Sequence, residues 1–353
     1  LQALLDHADV MNNNVFAYGE IASDGHSVTE IAFSTAVVAA SNAYTWSHQP
    51  YSKQANWGST YLRVFHCNLV LEELEKLSLT AAEKSDRENI KGQALFNRAE
   101  AFLALTQVFA QPYNSTTAAS DMGIPLRLTS NVAEQSRRAN VLATYDRIIS
   151  DATESIPLLP GLPLVKTRGS KAAAFALLAR TYLVMQDYEK ALDYAGRCLA
   201  IQSALKNYAE LSTGASTQIG ATANFPTPLH NPEMIFYNRM YTSALSGFLT
   251  TNYFVEQSLY NQYATNDLRR GRFFRVTASG ITFKGNYNNV SSQPFCGIAT
   301  DEVYLIRAEC YARKGQITEA LADLNLLLSK RYDATFTPVT ANTADEALVK
   351  ILT

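Results

Sequence analysis

FALLARTYLVMQDYEKALDYAGRCL, residues Phe175 to Leu199, reads as two short helices folded back on each other about a polar turn. Phe175, Leu178, Ala179, Tyr182 and Leu183 recur at three- and four-residue intervals, the apolar stripe of an amphipathic helix. Gln186 and Asp187 break that stripe, and Ala191, Tyr194, Ala195 and Cys198 resume it on a second helix. Small residues where the helices touch and large ones in the gaps fit a tetratricopeptide unit, with Ala179, Tyr182, Ala191 and Ala195 at its close-packing positions.

The same pattern returns in EVYLIRAECYARKGQITEALADLNLLL, where Ala308 aligns with Ala179, Tyr311 with Tyr182, Gly315 with Gln186 and Ala320 with Ala191. A split copy precedes both. Ala99 and Phe102 in KGQALFNRAEAFLALTQVFA take the first-helix positions, and VLATYDRIISDATESIPLLP supplies its partner. TYLRVFHCNLVLEELEKL, with Leu62, Phe65, Leu69 and Leu74, is a fourth helical element. A regular solenoid would repeat about every 34 residues; here long polar and aromatic segments intervene. The reading is mainly α, a tetratricopeptide-like α–α superhelix with long loop-rich insertions. It predicts one domain over 1–353, a helical scaffold over roughly 58–110, 140–200 and 301–330, and ligand-presenting segments over roughly 20–57 and 202–300. Long loops in a compact protein are usually functional.

Composition narrows the partners. A net charge of −2 lacks the basic excess of a nucleic-acid binder. No apolar run approaches the ~20 residues of a membrane-spanning helix. The first residue, Leu1, predicts a mature or trimmed N-terminus. Cys67, Cys198, Cys296 and Cys310 form no CxxC and no disulfide framework, and Cys198 and Cys310 fall on apolar helix faces as small hydrophobes.

Catalytic patterns are absent: no GxSxG, HExxH or Gly-rich phosphate loop occurs, and His7, His26, His48, His66 and His230 have no metal-ligand spacing. Asp24, Glu30, Glu233, Asp267 and Asp301 are possible members of a carboxylate pair that spacing cannot assemble. Glu72, Glu73 and Glu75 read as a solvated face. The expectation is a protein that is not an enzyme and uses no cofactor or metal.

Aromatic residues say more. NAYTWSHQPYSKQANW sets Tyr44, Trp46, Tyr51 and Trp57 among amides and hydroxyls. Rings can stack on the apolar face of a pyranose while amides bond its hydroxyls. Trp57 leads into a helix and reads as core; Tyr44 and Trp46 read as cleft or surface. Tyr241, Phe248, Tyr253, Phe254, Tyr260 and Tyr263 crowd a second region, and Tyr287 sits at an expected loop tip in FKGNYNNV.

Seven blocks in order carry a family resemblance: KGQALFNRAEAFLALTQVFAQPY, DMGIPLRL, ATYDRIISDATESIPLLP, TRGSKAAAFALLARTYLVMQDYEKALDYA, NPEMIF, NDLRRGRFF and EVYLIRAECYARKGQITEALADLNLLLSKRY. The chain resembles the SusD/RagB family of outer-membrane nutrient-binding lipoproteins. That resemblance implies four tetratricopeptide-like helix pairs against a loop-rich half. It also implies a surface lipoprotein of the cell outer membrane, held by an N-terminal lipid anchor that this chain does not contain. Its ligand would be a glycan and its partner a SusC-like TonB-dependent transporter, in support of nutrient uptake. Arg98, Gly123, Pro125, Lys171, Glu233, Asp267, Arg269, Arg307 and Glu309 match family-wide positions, mostly structural ones. The family's ligand region falls on Tyr44, Trp46, Tyr51, Tyr241, Tyr253 and Tyr287. Family members usually continue beyond ALVKILT with a further helix, so the C-terminus reads as truncated. Alternatives are a tetratricopeptide-type adaptor for peptide or protein, a SusD-like protein for a non-glycan nutrient, and a helical glycoside hydrolase.

Overall fold

The computed structural model describes residues 1–13, 15–47, 56–78, 80, 83–211, 225–240, 253–283, 287–289 and 294–353. Its frame is made of helices α1 (Asn56–Lys76), α2 (Lys84–Phe109), α3 (Val141–Ser155), α4 (Lys171–Val184), α5 (Tyr188–Ile201), α6 (Thr300–Arg313), α7 (Ile317–Leu328) and α8 (Ala344–Leu352). From α1 to α7 each packs on the next, and α8 closes the row against α6. Polar caps start four of them. Asn140 Oδ1 accepts from the Ala143 amide at 2.7 Å, Ser170 Oγ from Ala173 at 3.1 Å, Asp187 Oδ1 from Lys190 at 3.1 Å and Thr343 Oγ1 from Glu346 at 3.1 Å.

Ala179, Ala191 and Ala195 are fully buried where α4 meets α5, as are Ala308 and Ala320 where α6 meets α7. The two hairpins also turn alike. In both, the C′ and C″ amides bond back to helix carbonyls: Gln186 to Leu183 and Asp187 to Tyr182 in one, Gly315 to Ala312 and Gln316 to Tyr311 in the other. This is a Schellman closure with a left-handed C′ residue. Gly315 sits there at φ 76° and Gln186 at φ 61°.

From Gly92 onward helix α2 lies deep in the frame, and the polar residues Asn97, Arg98 and Glu100 there are buried and paired. Arg98 grips Asp151 of α3 with two bonds of 2.7 Å and reaches Asn68 of α1 at 2.9 Å. Arg63 of α1 pairs with Glu100 and bonds Asn97 at 2.7 Å. Arg307 holds Asp323 across the α6–α7 hairpin at 2.6 and 2.7 Å. Glu72 departs from the solvated face expected of it: its carboxylate takes both the amide and the hydroxyl of Ser130 and pins that loop. Cys67, Cys198 and Cys310 are buried free thiols, pushed up to about 12 by burial.

Short strands accompany the frame: β1 (His26–Val28), β2 (Met122–Pro125), β3 (Arg138–Asn140), β4 (Met234–Phe236), β5 (Tyr253–Val255), β6 (Phe274–Thr277), β7 (Gly280–Phe283) and β8 (Ile298–Ala299). They form a sheet in the order β1-β5-β7-β6 and two pairs, β2-β3 and β4-β8. β2 lies tight on the start of α3: a side chain at Gly123 would fall 2.6 Å from the Asn140 carbonyl.

The excursion between α5 and α6 is tied down by charge. Glu233 accepts from Arg331 Nη2 at 2.6 Å, from the Lys206 amide at 2.9 Å and from the Tyr287 hydroxyl at 2.8 Å. Asp301 shares Arg331 at 3.3 Å, and the guanidinium lies 4.1 Å from the centre of the Tyr208 ring. Burial first, then Asp301, raises the Glu233 carboxyl above its ordinary range.

Candidate ligand-binding surface

Thr29 caps the short helix Glu30–Thr35, and a second short helix, Val38–Tyr44, follows it. The second buries Ala39, Ala40 and Ala43 against the main core. Its end is again a Schellman closure: the Trp46 amide bonds Ala43 O at 3.2 Å and the Ser47 amide bonds Asn42 O at 2.8 Å. The left-handed C′ position, ordinarily glycine, is Trp46 at φ 53°. A residue with a Cβ costs roughly 1–2 kcal/mol there, more than a turn alone requires.

The tryptophan is nevertheless 72 % exposed. Its indole Nε1–H donates to Ala22 O at 3.0 Å, which fixes one edge and leaves most of the ring to solvent. Exposed Ser23 and Asp24 follow Ala22 directly, with the Ser23 hydroxyl donating to Glu20 O at 2.9 Å.

Tyr44, two residues before Trp46, belongs to a layer of rings around His26. Tyr44 is half-buried, with its centroid 5.7 Å from His26 and 6.0 Å from Phe33. His26 stacks on Tyr253 at 4.4 Å and 19°. Tyr253 is buried in β5 and its hydroxyl donates to Glu20 at 3.2 Å. Burial, with Glu20 beside it, raises that phenol, and burial lowers the His26 imidazole despite Glu256. The pairing of β1 with β5, Val28 opposite Tyr253, brings these parts together.

Of the six rings expected at the ligand, Tyr44 and Tyr253 meet at His26, while Trp46 is tied to Ala22 and is the exposed one. Tyr287 belongs to another cluster. Its hydroxyl turns inward to Glu233 and its ring meets Phe295 at 5.1 Å and Phe225 at 5.5 Å, so the expected loop tip does not display it. Tyr51 and Tyr241 lie outside the described residues, as do Phe248 and His48. Trp57 packs edge-on against Phe109 at 4.8 Å as a core-side ring. His26, read from sequence as one of five scattered histidines, is the centre of the layer. Only its strand partner reveals that.

Glu233 and Asp301, which spacing could not pair, do meet, but around Arg331 and not in an open cleft. Among the described residues no three His, Cys, Asp or Glu could share a metal ion, and no helix is long and apolar enough to cross a membrane.

Residues 2–183 match the SusD-like family, described as starch-binding and associating with the outer membrane. Against curated proteins no relative matches. Solved structures share the architecture. A putative sugar binding protein from Bacteroides vulgatus is 22% identical with a TM-score of 0.78, over 98% of this chain and 80% of that one. A SusD superfamily protein from Bacteroides thetaiotaomicron is 20% identical at 0.76, over 99% and 82%. Surface glycan-binding protein A from Bacteroides uniformis is 17% identical at 0.72, over 99% and 83%. The family match spans just over half the chain, and from it the conclusion follows: this chain belongs to the SusD-like family.

Proposed function

We propose that this protein binds a glycan at the bacterial cell surface, does not cleave it, and delivers it to a SusC-type TonB-dependent transporter of the outer membrane. A lipid anchor at the N-terminus of the mature protein would hold it there. The observation that carries the glycan reading is Trp46, a ring held open to solvent at a backbone position that disfavours any side chain. A pyranose lays its apolar C–H face on the indole, while exposed Ser23 and Asp24 meet its hydroxyls. Tyr44 and Tyr253, both packed on His26, buttress the segment that carries Trp46; Tyr51 and Tyr241 complete the surface on sequence grounds, and Tyr287 stays with the Glu233 cluster. Family membership and the neighbours named for sugar and glycan binding support this reading.

Stacking of this kind contributes about 0.5–1.5 kcal/mol beyond the area it covers. Trp46→Ala should therefore weaken binding roughly 10-fold. Affinity electrophoresis of the purified protein through a panel of polysaccharides tests it: one polysaccharide retards the wild type and retards Trp46→Ala much less. Equal retardation of both would defeat the reading, and release of reducing ends from that polysaccharide would defeat the non-catalytic part.

A further inference from the structure

The second left-handed C′ residue with a side chain, Gln186, also faces a cleft. Between the loop that follows α2 and the α4–α5 turn is a cavity of about 590 Å³, lined by Tyr113, Asn114, Ser115, Met185, Gln186, Asp187 and Lys190. That is within the size of small-ligand sites, about 300–1,000 Å³.

Its chemistry is neutral and rich in paired donors and acceptors. Lys190 Nζ lies 2.9 Å from Asp187 Oδ2, so the two charges cancel. Asn114 Oδ1 is taken by the Thr116 amide at 3.0 Å and hydroxyl at 2.7 Å, which turns the Asn114 amide hydrogens to other partners. The Gln186 side chain is exposed, and its carboxamide makes no hydrogen bond among the described residues. Tyr113 is propped edge-on against buried Tyr145 at 5.0 Å and 69°, giving the wall a fixed ring. Two amides, a hydroxyl and an aromatic ring around a neutral hollow suit sugar hydroxyls, which donate and accept at once. An anion or a cation would find no unpaired countercharge.

The neighbouring hairpin shows what the turn needs. At the matching place α6–α7 uses Gly315, with the same hydrogen bonds and a relaxed backbone. A glutamine at the α4–α5 turn is therefore not there for the turn. We propose that this cleft is a second carbohydrate subsite, taking an uncharged sugar unit of the same glycan. The proposal rests on the glycan reading above.

Native gels containing single polysaccharides (amylopectin, pullulan, arabinoxylan, galactomannan and barley β-glucan) test it on the full chain. On a polysaccharide that retards the wild type, Gln186→Gly and Asn114→Ala should each weaken retention about 5-fold, one or two hydrogen bonds' worth. Trp46→Ala should leave residual retention, and Trp46→Ala with Gln186→Gly should abolish it. Gln186→Gly suits the left-handed turn, so its melting temperature should hold or rise by about 1 °C, which separates lost binding from lost folding. If Trp46→Ala alone abolishes retention, or both cleft variants retain fully, the second subsite is refuted and the Trp46 surface stands or falls by itself. Retention that survives Trp46→Ala intact and is lost in the cleft variants upholds the subsite and refutes the Trp46 surface. No retention of the wild type by any of the five overturns both.

Discussion

Replacing Arg331 by methionine removes the cation at the centre of the tie between the excursion and the frame. Arg331 is 3 % exposed and Glu233 is fully buried, so no water takes its place. What remains is a buried carboxylate facing Asp301, with only the Lys206 amide and the Tyr287 hydroxyl as donors. Breaking a buried pair this way costs about 3–5 kcal/mol. At an unfolding entropy near 2.1 cal/mol/K per residue, the 353-residue chain should lose about 5 °C in Tm. The effect depends on pH with a definite sign. The folded Glu233 carboxyl is already raised by burial and Asp301, and losing the guanidinium raises it further. A raised folded value gives stability that is present below the unfolded carboxylate value and is lost as pH rises through the folded one. The gap between Arg331→Met and wild type should thus be small near pH 4.5 and wide at pH 8. Adding Glu233→Gln should recover part of the loss, because the stranded charge goes with it. Urea unfolding followed by circular dichroism at both pH values reads the wild type and both variants. A penalty under about 1 kcal/mol, or one that does not change with pH, would refute the account of the tie.

His26 should stay neutral in the folded protein, its NMR titration midpoint lying below the ordinary 6.5 because burial opposes the charge. A depressed value contributes stability that is present above 6.5 and lost as pH falls through the folded value, so His26→Phe should flatten the pH dependence of stability below 6.5. Cys67, Cys198 and Cys310, with thiols raised to about 12, should resist iodoacetamide at pH 8 in the native state and react after unfolding. Labelling of any of the three in folded protein would contradict their burial.

The helical frame was legible because its signal is local. Stripes of three- and four-residue spacing and paired alanines mark each helix within a single turn of chain, and the matched turns at Gln186 and Gly315 align without gaps. The surface was legible only in part. Trp46 announces itself by residue type, but nothing around it in sequence shows that it closes a helix in the left-handed region. Tyr253 sits in an aromatic run where either face could be inward; pairing with β1 decides it, and that partner lies far off in the chain. Tyr287 looked like a loop tip because Gly, Asn and Lys surround it, yet the desolvated Glu233–Arg331 pair draws its hydroxyl inside. Helix α8 also escaped notice, since a nine-residue element shows barely two turns of periodicity.

The antiparallel contact between His26–Val28 and Tyr253–Val255 joins segments more than 200 positions apart. Such distant partners meet slowly, after the hairpins between neighbours have already closed. The topology thus favours an assembly order in which hairpins between neighbours form first and the ring layer at His26 and Tyr253 closes later. A nascent chain halted before Tyr253 would carry His26 and Tyr44 without the strand that seats them, and would still lack helices α6 to α8.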